Sequence, residues 1–444
     1  MYQIKRESVK SRLDWRYIIT LLAIASVFLG STLVKLDVSF FSLYPLRFFG
    51  FVGFFVIVLS RKKWADPFLE GFYKFSLFFL ILGLVSILWA PNTDLAIKEF
   101  GILQTGIALC WLVTRYIDTE EKVEVLIKIW IVGAIFINLI GLYEVTHQQY
   151  LINTDIGEKI ERLANRVGFL APRSIFINQN NYAFFNSLTA LVLFGKLMKR
   201  YRPLIWYAIN ALSLLLSLYI LISSYSRAAI SSFSIGVIFF VIFSFLTPNT
   251  YKSNILKLGL LLIVTFIGVI VVNDSLLDAM INKLYLVVEK NEVTTDDARI
   301  NIYTKSINYA LDNMGFGMGP GSSLYPLEGI PPHNFFLQIL VEYGVVILLG
   351  ILFILFKSFN RIGRYQNVIA NALPAILRSS ILVFPLMAVG PSSIMGEGIF
   401  WLWLGFIVVY GSISYRKTQN IIKEATQKHE VLPSNLNSSV LQPK

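Results

Sequence analysis

The sequence predicts an all-α polytopic membrane protein with about twelve transmembrane helices. Both termini are expected in the cytoplasm, and a large extracytoplasmic loop is expected before helix 10. Three observations predict this. Of 444 residues, 55% are hydrophobic and 15% charged, where a soluble protein of this size carries about 25% charged residues. The mean hydropathy is +0.64, and the apolar residues come in unbroken runs of about 18–22, enough to cross a hydrocarbon core. Lys and Arg gather in alternate short loops, which fixes an orientation. A β-barrel is excluded, because barrel strands alternate apolar and polar residues over about 10 positions.

The runs place spans at 17–36, 40–60, 72–90, 96–114, 124–146, 181–198, 204–223, 228–247, 255–273, 334–356, 373–391 and 397–414. The pair 204–223 and 228–247 is separated only by Ser224 to Arg227, and Arg378, Pro385 and Pro391 interrupt 373–391. The basic start, residues 1–16, lacks a small-residue cleavage site and reads as a cytoplasmic tail before an uncleaved first span. The transmembrane domain is 17–414, and a polar tail, 415–444, is expected to be cytoplasmic and disordered. Basic residues crowd the loops at 61–63, 115–128, 196–202, 252–257 and 357–364, so these face the cytoplasm. The alternate set lies outside: 90–94, the loop 147–180, Arg227, the loop 273–333, and 391–397.

Net charge is +12, but the basic residues are scattered among spans rather than gathered in one patch, which argues against nucleic acid. The single cysteine, Cys110, sits inside an apolar run and reads as a small buried hydrophobe. No paired carboxylate or histidine spacing suggests a metal, and no HExxH, P-loop or GxSxG pattern supports a soluble hydrolase or NTPase mechanism.

Chemistry is therefore sought in the two long loops. His333 follows two prolines and precedes Asn334, which can cap span ten. A helix N-terminus favours anions and disfavours imidazolium, leaving a neutral ring able to accept a proton. An interfacial histidine that merely ends a loop is the plainer reading. Arg299 lies near the start of an expected amphipathic helix, Ala298 to Leu311, whose Ile300, Tyr303, Ile307 and Leu311 share one face. It can grip a phosphate bidentately or pair with Asp296 or Asp297. Arg227, in a tight turn close to hydrocarbon, needs protein, water or a partner, or else snorkels to lipid phosphate.

The glycines at 315, 317, 319 and 321 do not spell a dinucleotide fingerprint. They read as a tight turn, with anion binding by backbone N–H groups as the alternative. The first outer loop carries Arg162, Arg166 and Arg173 and then an asparagine cluster, where Asn180 or Asn181 is the expected cap of span six. Side-chain amides there also suit sugar hydroxyls.

Four pieces in order resemble the O-antigen ligase/polymerase family of bacterial envelope glycosyltransferases. They are Arg173 with Phe176-Ile177-Asn178-Gln179-Asn180-Asn181-Tyr182-Ala183; Tyr225-Ser226-Arg227; Arg299 and Tyr303 leading to the glycine turn; and His333-Asn334 through Leu337, Glu342 and Gly344. The resemblance covers about residues 160–350 closely. Gln179 stands where the family has proline, and Arg166 is an alternative to Arg173 for the family arginine. Glu397 matches no motif.

The resemblance implies a donor glycan on undecaprenyl diphosphate, a glycan acceptor, no cofactor and no metal. The site would lie on the outer face of the cytoplasmic membrane. It implies that Arg227 and Arg299 hold the diphosphate and that His333 orients or deprotonates the acceptor hydroxyl. Arg173, Arg166, Asn180, Asn334 and Tyr303 would contact substrate. Polymerisation of repeat units is the favoured use. Ligation of a finished chain is the alternative, and a lipid-linked oligosaccharide flippase is the reading from another class. A chain-length regulator is a further expected partner.

Overall fold

The computed structural model describes residues 14–31, 33–38, 41–60, 63–152, 170–198, 203–245, 259, 295–327, 329–366 and 372–430. The expected span 255–273 lies outside them except for Gly259, as do the start of the long loop and the N-terminal tail. Among the described residues, seven helices are long and apolar enough to cross a membrane, and three shorter apolar helices accompany them.

Helix α1, Trp15–Ser26, is capped by Asp14, whose side chain accepts from the Arg16 N–H. It runs into a 3-10 turn, Val27–Leu29. A short antiparallel ladder follows, β1 Leu36–Val38 with β2 Phe41–Leu43. The second span therefore starts later than position 40. Pro45 sits in the first turn of α2, Pro45–Val58, where its missing N–H costs nothing. Next come α3, Pro67–Val85, α4, Thr93–Tyr116, and α5, Glu120–His147. Asp66, Asn92 and Thr119 cap them in turn. Then follow α6, Gln179–Leu197, α7, Leu204–Ser223, and α8, Arg227–Phe245. The expected amphipathic helix is present as α9, Thr295–Asp312. The last three are α10, Phe335–Gln366, α11, Ala372–Met387, and α12, Gly398–Glu430.

Two boundaries differ from the sequence reading. α12 begins after Glu397, which therefore lies in the preceding turn. It also continues past position 414 to Glu430, so the first part of the expected disordered tail is helical. Its polar end docks on the bundle, where Arg416 donates to the Asp118 carbonyl and Lys417 pairs with Glu120.

The core explains why one helix escapes a hydropathy criterion. Every residue of α6 from Asn181 to Leu197 is buried, so neighbouring helices rather than lipid surround its polar groups, and several find partners there. Thr189 accepts from the Trp130 indole at 3.0 Å, Ser187 donates to the Ala229 carbonyl at 3.2 Å, and Lys196 pairs with Glu124 at 2.6 Å. α12 is the other central element, with Phe406, Ile407, Val408 and Val409 fully buried. By contrast α2 leaves Phe48, Phe51 and Phe55 about half exposed on one face, the surface a bilayer covers.

Chain direction alternates through the bundle. Of the turns that the charge pattern assigns to one side, 170–178 and 224–227 both touch 388–397, through the Asn178–Ser392 bond and at Gly390. At the opposite end Asp66 takes Arg361 at 3.1 Å and the Ser412 hydroxyl.

Candidate functional site

The short turn from Ala388 to Glu397, between α11 and α12, is where the separate motifs converge. The Asn178 side chain caps α6, accepting from the N–H groups of Asn180 and Asn181 at 2.9 and 3.0 Å. Its own amide donates to the Ser392 hydroxyl at 2.6 Å. Asn181 donates to the Ser393 carbonyl at 3.2 Å and to the Glu397 carboxylate. The cap is thus Asn178, not the expected Asn180 or Asn181. The extended backbone that a cap residue adopts falls on Asn178, two residues after Phe176 has closed a turn on the Arg173 carbonyl.

Arg227 opens α8 and is exposed. The turn before it bends through Tyr225, a non-glycine residue at φ +53°, held by a Ser226 N–H to Ser224 Oγ bond of 3.3 Å. That turn lies against Gly390. A Cβ on Gly390 would stand 3.4 Å from Ala228 Cβ and 3.7 Å from Ser226 Oγ.

His333 reaches the neighbouring residue from the other side. The Pro391 backbone is close enough to favour its protonated form, a smaller influence than burial and Arg299. The next helix is anchored there too, because the Phe335 N–H donates to the Ala388 carbonyl at 3.1 Å. Asn334 caps α10 as expected, accepting from the N–H groups of Phe336 and Leu337 at 3.0 and 3.3 Å. His333 itself takes φ +48°. Burial, then the nearby Arg299 guanidinium, hold its pKa below the ordinary 6.5. The ring is therefore neutral at pH 7, as expected, although burial and Arg299 rather than the helix end are the causes. Its Nδ1 is buried with no hydrogen-bond partner.

Arg299 is half-buried on α9. Tyr303, one turn further along the same face, keeps its hydroxyl buried without a partner. Arg299 and His333 are thus close enough for charge to be felt between them, and both stand at the end where the 388–397 turn carries Arg227's neighbour Ser226.

Arg173 is elsewhere. It is 1% exposed, its guanidinium donates to the Ile152 carbonyl at 2.8 Å and stacks over Tyr150, and its N–H donates to Glu144 at 2.9 Å. It packs the loop rather than facing an open site. Arg166, like Arg162, lies outside the described residues. Asn180 is half-buried beside the cap.

The glycine string has a different use from anion binding. The N–H groups of Met318 and Gly319 donate to the carbonyls of Val341 and Glu342, both at 2.9 Å, and the Val345 N–H returns to the Gly315 carbonyl at 2.9 Å. α10 is broken at this point, with Gly344 at φ +82°. The break frees carbonyls that a continuous helix would consume. A Cβ on Gly317 would meet the Tyr343 carbonyl carbon at 2.5 Å, so the two chains touch backbone to backbone. Glu342 is clamped to the same loop by the Ser323 hydroxyl at 2.6 Å. The Glu342 and Gly344 of the motif therefore dock the loop onto α10.

Sequence reasoning named Asn181 as an alternative cap and placed 391–397 outside, but missed Asn178 as the cap and the contacts of both asparagines with that turn. The available signal was Gly396-Glu397-Gly398, a carboxylate between glycines in a short polar break between apolar runs.

Residues 212–354 match the family model described as O-antigen ligase. The matched stretch holds Arg227, Arg299 and His333, three of the four motif pieces. The chain is also 24% identical to the teichuronic acid biosynthesis protein TuaE of Bacillus subtilis (strain 168), over 89% of this chain and 84% of that protein. That alignment reaches well beyond the motif core, so with the ordered motifs and the helical membrane architecture it carries the resemblance across most of the sequence. Over residues 212–354, about a third of its length, the chain is similar to the O-antigen ligase family.

Proposed function

We propose that this protein polymerises undecaprenyl-diphosphate-linked oligosaccharide repeat units into a surface polysaccharide, at the outer face of the cytoplasmic membrane. The observation that supports the reading is that the Arg299 charge is felt at His333, whose neighbour Phe335 is anchored on Ala388, two residues from the Gly390 against which the Arg227 turn lies. A diphosphate leaving group needs fixed positive charge where negative charge develops, and two arginines supply it. A neutral, largely water-excluded histidine beside them suits the approach of an uncharged hydroxyl. Attack from the face opposite the diphosphate inverts the anomeric centre. Tyr303, Asn180 and Asn334 border the same region and are the substrate contacts expected from the sequence. The relative named for teichuronic acid biosynthesis supports polymer building over transfer to a lipid core.

The test is reconstitution. Purified protein is given the undecaprenyl-diphosphate repeat unit without nucleotide sugar, energy source or metal, in the presence of EDTA. Longer chains and released undecaprenyl diphosphate are expected. Transfer of single units to a separate acceptor without growth would favour the ligase. Movement of the lipid across vesicles without bond formation would favour the flippase. Orientation is tested alongside. In a Cys110→Ser background, Asn308→Cys should react with an impermeant thiol reagent in intact cells, and Lys423→Cys should not.

A further inference from the structure

We propose that α9 is an interfacial helix, with Ile300, Ile307 and Leu311 inserted in the lipid leaflet at the His333 end of the bundle. That leaflet is the outer one in the orientation proposed above, and the insertion does not depend on glycosyl transfer.

α9 divides into three faces. Ser306 and Ala310 are buried against the protein. Asn301, Lys305, Asn308 and Asp312 form an exposed polar face. Ile300, Ile307 and Leu311 are 62, 41 and 68% exposed. With Thr304 between them they follow the i, i+4, i+7, i+11 spacing of a single stripe. The Thr304 hydroxyl donates to the Ile300 carbonyl at 2.9 Å, so it needs no water. An exposed apolar stripe beside an exposed polar one is the pattern of a helix that meets lipid on one side and water on the other.

Continuity identifies the apolar medium as lipid. Just past the helix, Met314 and Phe316 are also exposed. A Cβ on Gly315, between them, would stand 3.7 Å from Val345 Cγ1. Val345, Val346 and Leu349 belong to the exposed apolar surface of α10, a membrane span. The stripe therefore runs on into a surface that the bilayer covers.

Depth agrees. The Arg361–Asp66 pair marks the opposite end of the bundle. From Arg361 along α10 to Val345 is about 24 Å of helix, and from Asp66 along α3 to Trp89 about 34 Å. The hydrocarbon core is about 30 Å thick, and tilt only lowers these heights. The Gly315 carbonyl takes the Val345 N–H at 2.9 Å, and the Gly317 carbonyl takes the Trp89 indole at 3.2 Å. The chain leaving α9 is thus pinned at the edge of the hydrocarbon. At the other end, Arg299 makes its charge felt at His333. Phe335, two residues on, bonds to Ala388, about 15 Å along α11 from Arg378, whose guanidinium lies over Phe359. Neither end of α9 stands clear of the bilayer. A helix seated at this boundary also holds Arg299, the residue before Ile300, near the level of lipid phosphates.

The test is spin labelling of full-length protein in phosphatidylglycerol–phosphatidylcholine bilayers, in a Cys110→Ser background. All labelled positions are exposed, so folding is preserved. Labels on Ile307→Cys and Leu311→Cys should be several-fold more accessible to oxygen, which concentrates in lipid, than to a water-soluble nickel chelate. Labels on Asn301→Cys and Asn308→Cys should show the reverse. Ile307→Asn with Leu311→Asn should move an Ile300→Cys label toward the chelate. Chelate-accessible labels at Ile307 and Leu311 would overturn the proposal. So would labels closed to both reagents, which would mean that a protein partner or a second copy covers the stripe. The readout needs no donor or acceptor, so a protein that joins no sugars is tested equally well. If the stripe reads as lipid-buried but Asn308→Cys reacts with the impermeant reagent only in opened cells, the insertion holds and the orientation reading is what has failed.

Discussion

Arg173 and Arg299 look alike in sequence and differ in the fold. Arg173 sits in a polar loop ahead of α6 and Arg299 in the second turn of α9, each a few residues from a recognisable motif. Arg173 is 1% exposed and turns inward, to the Ile152 carbonyl and the Tyr150 ring, while its backbone N–H serves Glu144. Arg299 is partly exposed, and its charge lowers the proton affinity of His333. A guanidinium with its donors already engaged inside the protein holds a loop in place. One that faces a neutral histidine across a gap can receive an anion. Residue type is shared, so the surroundings of the side chain are what separate scaffold from site.

The strongest way to break this comparison is to exchange the chemistry at both positions. Arg299→Lys keeps the charge and loses the planar fork. Its product formation should drop about 10²–10³-fold, the scale for losing one charge-stabilising donor, with normal protein in the membrane. Arg173→Ala should do the reverse, lowering stability by about 1–3 kcal/mol through unpaired buried groups while activity per folded molecule stays near wild type. Thermal melting in detergent and chain-length analysis on gels separate the two. An active Arg299→Lys with an inactive but stable Arg173→Ala would invert the assignment.

The glycine string and the α10 break extend the scaffold side of the comparison. Gly344→Ala places a Cβ where the Gly315 carbonyl oxygen stands and holds a left-handed φ, with a strain of about 1–3 kcal/mol before any clash. Lower protein yield is expected, with loss of the loop's protection in hydrogen exchange at Met318 and Gly319. Unchanged protection would show that the loop is held elsewhere.

How much of this was legible follows from what sets each feature. Helix positions come from the length of apolar runs, so eleven of the twelve expected spans correspond to described helices, although α10 and α12 run ten and sixteen residues past their expected ends, to Gln366 and Glu430. The amphipathic α9 was readable from its period, and the Asn334 cap from its place before an apolar run. The break at Gly344 was not, because mean hydropathy runs smoothly across it and only long-range backbone bonding makes the left-handed turn favourable. The contacts of the 388–397 turn were not legible for a related reason, although 391–397 itself was placed as an outer loop. Its residues carry no spacing of their own, and their meaning comes from Asn178, Asn181, Ser226 and His333, which arrive from three other helices and loops.

A smaller effect sharpens the site half. Arg299 and burial together keep His333 below its ordinary pKa of 6.5. Arg299→Gln removes one cause, so the folded-state value should move upward. NMR titration of ring-labelled protein, with the other two histidines as references, reads it. The linkage has a definite sign. With the folded value below the unfolded one, the unfolded chain binds more protons as pH falls through 6.5, so this group's contribution to stability is present above that pH and lost below it. Arg299→Gln should reduce that loss. An unmoved titration would separate the two residues and remove the electrostatic basis of the site.

The mildest test lies within the asparagine cluster, where neighbours are assigned opposite roles. Asn178 caps α6 and ties it to Ser392, and Asn180 only offers its N–H to that cap. Asn178→Ala removes the cap and should lower stability by about 1 kcal/mol. Asn178→Asp should recover the cap, because a carboxylate accepts the same two N–H bonds and favours a helix N-terminus, but it cannot donate to Ser392 unless the hydroxyl turns to become the donor. Asn180→Ala should leave the melting temperature unchanged. If Asn180 contacts sugar hydroxyls, its loss should appear as a modest rise in KM with kcat preserved, since ground state and transition state lose the same contact. Equal destabilisation by both alanines would mean the cap geometry is shared along the cluster, and the turn that holds Glu397 would then rest on more of the motif than Asn178 and Asn181.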